Sequence, residues 1–355
     1  MFLQATTLTD TIADLLGSIG LDATNPLVVF LAGVLAATVV AVIVLLNAAL
    51  AGPWAKRKIT AAFTDRIAVN RVGPMGIGTI VVDSVRLLSK ELIIPEKADR
   101  PAYDLAPLVL ASSALLGFAV IPMGNGIQVA DPEIGLAYVF AVSSIASLGL
   151  LMAGYASNNK YSFLGGLRAV AQNLAYEIPL VLTGASVVLF AGSLQLSEIV
   201  AAQQGVLVQL GPVAIPNWFA FLNPFAFALF MAANLAEVGR NPFDIPEAPT
   251  ELVAGYQTEY SSVYFVLFYL GEFIHIFLGG AIIATLFLGG PAGPFLPGFV
   301  WFLIKIWGVF LFTQWARSAV PRVRIDQLIE IGWKVLLVLA LVNLLATAAI
   351  VGVVA

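Results

Sequence analysis

The chain has 355 residues, 60% of them hydrophobic and 11% charged, with a formal net charge of −4. Soluble domains carry about a quarter charged residues and need a polar skin, so the composition excludes a soluble globular enzyme and a disordered chain. With no cysteine and only one histidine, His275, it also excludes disulfides, thiolate metal sites and Cys-ligated clusters, and it offers no self-contained haem or zinc centre. Redox chemistry therefore falls to a partner or a diffusible molecule.

An all-α polytopic membrane protein remains. In chain order, residues 1–25 read as a polar tail carrying Asp10, Asp14 and Asp22 and no base, the wrong order of charge for a cleaved secretory signal. Residues 26–355 read as a single membrane domain. Since about 20 apolar residues cross the hydrocarbon, eight spans are predicted: Pro26–Ala51, Leu105–Met123, Ile134–Ala156, Ala169–Gln195, Asn217–Ala236, Ser261–Gly289, Phe295–Ala316 and Val335–Val354. Between the first two, Val81, Val85, Leu88 and Leu92 recur at helical spacing, with Asp83, Arg86 and Lys90 on another face. This predicts an amphipathic helix over 79–94, lying in the membrane interface or packed on protein. Gly73, Gly76 and Gly78 lack the surrounding strand and βαβ unit of a dinucleotide fingerprint.

The bases sort the connections. Of 17 Lys and Arg, nine lie in the first connection, two in the third, one in the fifth and four in the seventh; only Lys305 falls within a span. By the positive-inside rule the odd connections face the cytoplasm and both termini lie outside.

Ionisable groups in the bilayer cost about 2.5–3.5 kcal/mol each at a helix centre, so they face partners or wet cavities. Glu177 stands two residues before Pro179 in the fourth span, and Glu237 closes the fifth. Glu272 and His275 share one face of the sixth. For Lys305 and His275 alone, a structural partner between helices is the simpler reading. The fifth connection, 238–260, sets Asp244, Glu247, Glu251 and Glu259 against one base, Arg240. Asp244 and Glu247 have the spacing of a helix cap, which leaves Glu251 and Glu259 unexplained. Counting Glu237 and Glu272, six carboxylates fall within 36 residues. Crowded carboxylates in low dielectric raise one another's pKa and titrate as a coupled set, as a proton relay requires. Against them stand Arg57 and Arg66 after the first span, and Arg317, Arg322 and Arg324 after the seventh. These bases could anchor lipid headgroups or line an entrance for an amphiphile with a polar head and a long apolar tail.

Four stretches carry a family resemblance: Ala-Ser-Asn-Asn-Lys-Tyr-Ser-Phe-Leu-Gly-Gly-Leu-Arg at 156–168, Gln-Asn-Leu-Ala-Tyr-Glu at 172–177, Arg-Asn-Pro-Phe-Asp-Ile-Pro-Glu through Glu-Leu-Val-Ala-Gly-Tyr at 240–256, and Trp-Ala-Arg-Ser-Ala-Val-Pro-Arg-Val-Arg-Ile-Asp-Gln-Leu at 315–328. In these the chain resembles the H subunit of NADH-quinone oxidoreductase (respiratory complex I), over roughly residues 27–340. The resemblance implies a membrane-arm subunit of a proton-translocating enzyme, multi-pass in the cell membrane and without a redox centre of its own. It would use quinone as substrate, form the quinone portal and part of its chamber, and start the proton path. Iron–sulfur clusters and any flavin would sit on partner subunits. Its partners would be the iron–sulfur and quinone-site subunits of the peripheral arm, small membrane and antiporter-like subunits, and lipid; no metal and no nucleic acid is implied. The family's chamber and portal positions match Arg57, Arg66, Asp83, Arg240, Asp244, Glu247, Glu251, Glu259 and Glu272, with Arg317 and Arg322 at the entrance. Glu177, Glu237 and Arg168 match its buried polar path.

The chain departs from the family at Lys56, where a Glu is usual, at Thr64, Ala68-Val69, Thr79 and Arg86, and at Pro249, where the family has a further glutamate. The portal becomes more basic and the acidic connection one carboxylate poorer. Deazaflavin-linked dehydrogenases and membrane-bound hydrogenases use a similar subunit, the latter without quinone. Midplane charges and a Pro-broken span also suit an independent ion transporter, which would show an inverted repeat and act alone.

Overall fold

A computed structural model of the chain describes residues 7–18, 25–124, 126–210, 213–247 and 249–354. Asp22 lies outside the described residues, whereas Asp10 and Asp14 lie on a short helix, Leu8–Ser18, within the expected tail. Among the described residues seven helices are long and apolar enough to cross a membrane, and an eighth apolar helix is shorter. The protein is thus an all-α polytopic membrane protein. One element was not anticipated: an antiparallel hairpin, Val206–Leu210 with Val213–Pro216, after the fourth span.

Several spans run past their apolar limits. The first is helical over Pro26–Phe63, opening on Asn25, whose side chain accepts from the Leu27 N–H at 3.0 Å, and on Pro26 at a position that loses no hydrogen bond. Over Leu46–Ala51 it takes a π-helical turn, where the Asn47 amide donates to the Ile43 carbonyl at 2.8 Å and loosens the backbone ladder. Lys56, Arg57 and Lys58 therefore ride on a helix and not in a loop. The fourth span begins at Lys160 and runs 32 residues to Ala191, because Asn159 caps the Tyr161 N–H at 2.9 Å and nothing before Gly192 stops it. The second begins at Arg100, and the eighth begins at Ile325 and also carries a π turn, Ile331–Leu336.

The fifth span errs the other way. Asn223 and Pro224 start it late, so Pro224–Glu237 covers about 21 Å at 1.5 Å per residue, short of the roughly 30 Å hydrocarbon. Non-helical backbone at such a depth is tolerated only where it is enclosed by protein or faces water. Val238 and Gly239, just beyond Glu237, line an internal cavity.

The sixth span, Ser262–Phe287, is the most enclosed, with Phe268, Phe273, Ile274 and Phe287 fully buried. The first and last spans keep long apolar faces exposed. The third span, Gly135–Ala156, meets the fourth where a Cβ on Gly166 would sit 3.2 Å from the Gly154 Cα. Small residues are what permit so close a crossing. The helix expected over 79–94 spans Gly78–Leu88. It ends before Lys90 and Leu92, while Val81, Val85 and Leu88 stay more than half exposed.

Lys305, the charge inside the seventh span (Gly298–Ala319), has a structural partner. Its ammonium donates to the carbonyls of Leu288, Gly290 and Ala292 at 2.6, 2.7 and 2.7 Å and lies 4.5 Å from the Trp218 ring centre. It thereby satisfies carbonyls just past the end of the sixth helix, where cations are favoured. Replacing Lys305 with Met is expected to lower stability by about 1.5–3 kcal/mol, the worth of hydrogen bonds to a charged group. The fall would be read as a lower melting temperature of the detergent-solubilised protein.

Candidate proton-relay site

The connection 238–260 lies hard against the fourth span. A Cβ on Gly165 would stand 2.6 Å from the Tyr256 backbone nitrogen. Gly255 takes a φ of +56°, and a Cβ there would overlap the Pro246 carbonyl; glycine alone accepts both constraints. The far end of the connection is pinned to the second span. Tyr260 stacks on Tyr103 at 4.1 Å between ring centres, and the Tyr103 hydroxyl donates to the Glu259 carbonyl at 2.8 Å.

This folding gathers a polar cluster around Glu272. The Arg240 guanidinium pairs with Glu272 Oε2 at 3.2 Å. Glu272 Oε1 accepts from the Tyr256 hydroxyl at 2.9 Å and from the Gln257 amide at 2.8 Å. The same amide reaches Glu247 Oε1 at 3.1 Å, and the two carboxyls hydrogen-bond one another. The charge of Glu272, and then burial, push the Glu247 carboxyl well above the ordinary carboxylate range. Burial and Glu272 also raise Asp244, against the pull of Arg240, Arg317 and Arg322. Burial works against the charge on Arg240, but Glu272 and Glu247 outweigh it and the guanidinium stays charged.

Glu272, Glu247 and Asp244 line a cavity of about 60 Å³, together with His275, Tyr256 and Glu237. At roughly 10–15 Å³ per water it holds about four waters, and it is far below the roughly 300 Å³ of small-molecule pockets. At its other side Glu237 faces Ser143 and lies within range of the Glu177 charge. Glu177 in turn accepts a short hydrogen bond from Ser144. Arg240, Glu272 and Glu247, the cavity, Glu237, the adjacent serines and Glu177 thus form one internal polar string.

A second, larger pocket of about 400 Å³ is lined by Lys56, Arg57, Arg66 and Arg317, with Ala68 and Val69. Arg57 is tethered to Asp83 on the 78–88 helix at 2.6 Å. The two sites are neighbours: Lys56 Nζ lies 5.3 Å and Arg240 Cζ 5.2 Å from the centre of the Phe273 ring.

Other candidates lie apart from the cavity. Glu251 is half exposed and paired with Arg168 at 2.5 Å, an interaction that holds its carboxyl below the usual range. Neither residue lines the cavity, so Arg168 does not join the polar string. Glu259 accepts from Asn159 at 2.5 Å and lines an open cleft with Lys97 and Lys160. The six carboxylates read from sequence therefore divide, four lining the cavity and two outside it. The cap expected at Asp244 does not form, since no helix begins at Asp244 and the four-residue Pro249–Leu252 starts later; the Asp244 carbonyl accepts from Arg322 instead. Tyr256, Gln257, Ser143 and Ser144 were not singled out from the sequence. As uncharged polar residues they give no signal until the fold sets them beside a carboxylate. Among the described residues no group of three or more His, Asp or Glu side chains is arranged to hold a metal ion.

Fold and site together define a multi-pass membrane protein with carboxylates and a guanidinium group gathered at an internal cavity. The family model described as NADH dehydrogenase matches residues 35–348. The chain is 45% identical over 295 residues to the NADH-quinone oxidoreductase H subunit of Dehalococcoides mccartyi (strain CBDB1), covering 83% of this chain and 80% of that one. It is 45% identical over 300 residues to that of Thermomicrobium roseum, covering 82% and 88%. To an H subunit of Geobacter metallireducens it is 46% identical over 303 residues, covering 83% and 89%. The chain belongs to the NADH dehydrogenase family, as a membrane protein of the NADH-quinone oxidoreductase H-subunit type.

Proposed function

We propose that the protein is the membrane-arm subunit of a proton-translocating NADH-quinone oxidoreductase, where it admits quinone and starts the path that couples quinone reduction to proton movement. The observation that carries this reading is the internal polar string beginning next to the basic pocket. That pocket, at about 400 Å³, falls in the size range of small-molecule sites, whereas the carboxylate cavity has room only for water. Quinone would approach past Arg57, Arg66 and Arg317, with its tail along the first span and the exposed apolar face of the 78–88 helix. Charge appearing there is felt by Lys56 and Arg240 across Phe273, and through Arg240 by Glu272.

In this reading Glu272 is the ionised member at rest and Glu247 holds the proton. When the charge beside Arg240 changes, the proton shared by Glu247 and Glu272 is released into the cavity water. Glu237 and Glu177 then carry it onward to antiporter-like partners. Glu251 and Glu259, paired at the surface, suit docking of the iron–sulfur and quinone-site subunits better than proton transfer. The odd connections face the cytoplasm of a multi-pass plasma-membrane protein, with both termini outside. A tagged pull-down in mild detergent tests the assignment. An iron–sulfur quinone-site subunit and antiporter-like subunits are expected to co-purify; recovery of the chain alone, active in moving ions in liposomes, would overturn it.

A further inference from the structure

We infer that His275 is the proton-carrying group that bridges the Glu272–Glu247 pair and Glu237 across the water-sized cavity. The inference rests on the proton-path reading above and adds a residue to it.

Three observations lead to it. First, the polar string has a gap. Among the described residues no hydrogen bond joins Glu237 to Glu272 or Glu247, although all three line the same cavity. Second, His275 lines that cavity too, three residues after Glu272 on the sixth helix and so on the same face, about 4.5 Å further along the axis. Third, its Nε2 is buried with no hydrogen-bond partner. A buried polar atom without a partner is costly and is usually served by ordered water. The simple structural account, which Lys305 meets with three carbonyls, leaves this nitrogen unexplained.

Imidazole suits the gap because one ring nitrogen accepts a proton while the other releases one. The transfer balances: a proton enters at one nitrogen from water on the Glu272–Glu247 side, and the proton on the other nitrogen leaves toward Glu237. The ring returns to its starting tautomer by reorienting or by a proton exchange with cavity water. The groups facing it are Glu272 on its own helix, Asp244, Glu247 and Tyr256 of the acidic connection, and Glu237 of the fifth span; Ser143, Gln172 and Asn173 face it from the third and fourth. Arg240 stands behind Glu272. Carboxylates from the fifth span, the sixth span and the acidic connection thus line the same cavity as the ring, as acceptors for a transient imidazolium.

The test uses the assembled complex in proteoliposomes, comparing His275→Gln with Glu237→Gln for quinone reduction, proton translocation and solvent deuterium isotope effect across pH. Glutamine keeps a donor and an acceptor but cannot carry the proton through. His275→Gln is expected to slow coupled turnover about tenfold, with a larger isotope effect than wild type. If Gln impairs assembly, His275→Asn poses the same question. Wild-type rate, pH profile and isotope effect in the His275 variant, alongside lost coupling in Glu237→Gln, would overturn the role of His275 alone. Wild-type behaviour in both variants would overturn the path itself.

Discussion

Replacing Arg240 with Met is expected to destabilise the protein by about 3–5 kcal/mol, the usual consequence of removing one partner of a buried ion pair. The side chains of Arg240 and Glu272 are 6% and 14% exposed, so solvent cannot substitute for the lost guanidinium. The remaining Glu272 would be a buried charge left with the neutral donors around it, the Tyr256 hydroxyl, the Gln257 amide and the Glu247 carboxyl, or it would take up a proton; either outcome costs free energy. Adding Glu272→Gln to Arg240→Met removes the orphaned charge and is expected to recover most of the loss, since the two residues form one interacting unit. Melting curves of the detergent-solubilised complex for the two single variants and the double variant check this. Additive losses would show that Arg240 stabilises the fold through something other than Glu272.

Glu247→Gln is expected to reduce quinone-coupled turnover on the order of 10²-fold, the low end of what a positioned proton donor contributes. Because its carboxyl is raised well above the usual range by Glu272 and by burial, Glu247 is protonated below its titration range and ionised above it. Rising pH therefore puts a second negative charge beside Glu272 and removes the proton to be passed on. Activity of the wild type should fall on that alkaline limb, and the limb should vanish in Glu247→Gln, where position 247 no longer titrates. Glu251→Gln supplies the comparison. That carboxyl is half exposed and held below the usual range by Arg168, so its removal should leave the pH profile unchanged. An alkaline limb retained in Glu247→Gln would place the titrating group elsewhere.

How far the sequence reaches can be judged from particular residues. The seven long apolar helices and the shorter one were legible as apolar runs, because hydrocarbon thickness sets the length of a crossing. Their ends were not, since helices continue past the membrane wherever a cap such as Asn159 or a π turn at Asn47 allows it. The fifth crossing was read six residues too long, because apolar character cannot distinguish Phe219–Leu222, a separate turn, from the helix after Asn223. Glu237 and Glu272 stand out in the sequence because a carboxylate in or beside an apolar span is conspicuous, and Glu247 through the crowding of carboxylates in the connection. Glu251 and Glu259 were grouped with them on sequence proximity, and only Gly165, Gly255 and the Tyr103–Tyr260 stack decide which side chains of the connection turn inward. Lys305 and His275 looked alike in sequence; the carbonyls past the sixth helix distinguish them.

In the proposed path, proton movement passes along the internal string through Glu237. The most direct test is the number of protons translocated per quinone reduced by the complex in proteoliposomes, with Glu237→Gln against wild type. The variant is expected to assemble, because among the described residues Glu237 is not half of an ion pair, and its ratio to fall toward zero along with the rate. A wild-type ratio in the variant would place the proton path outside this string.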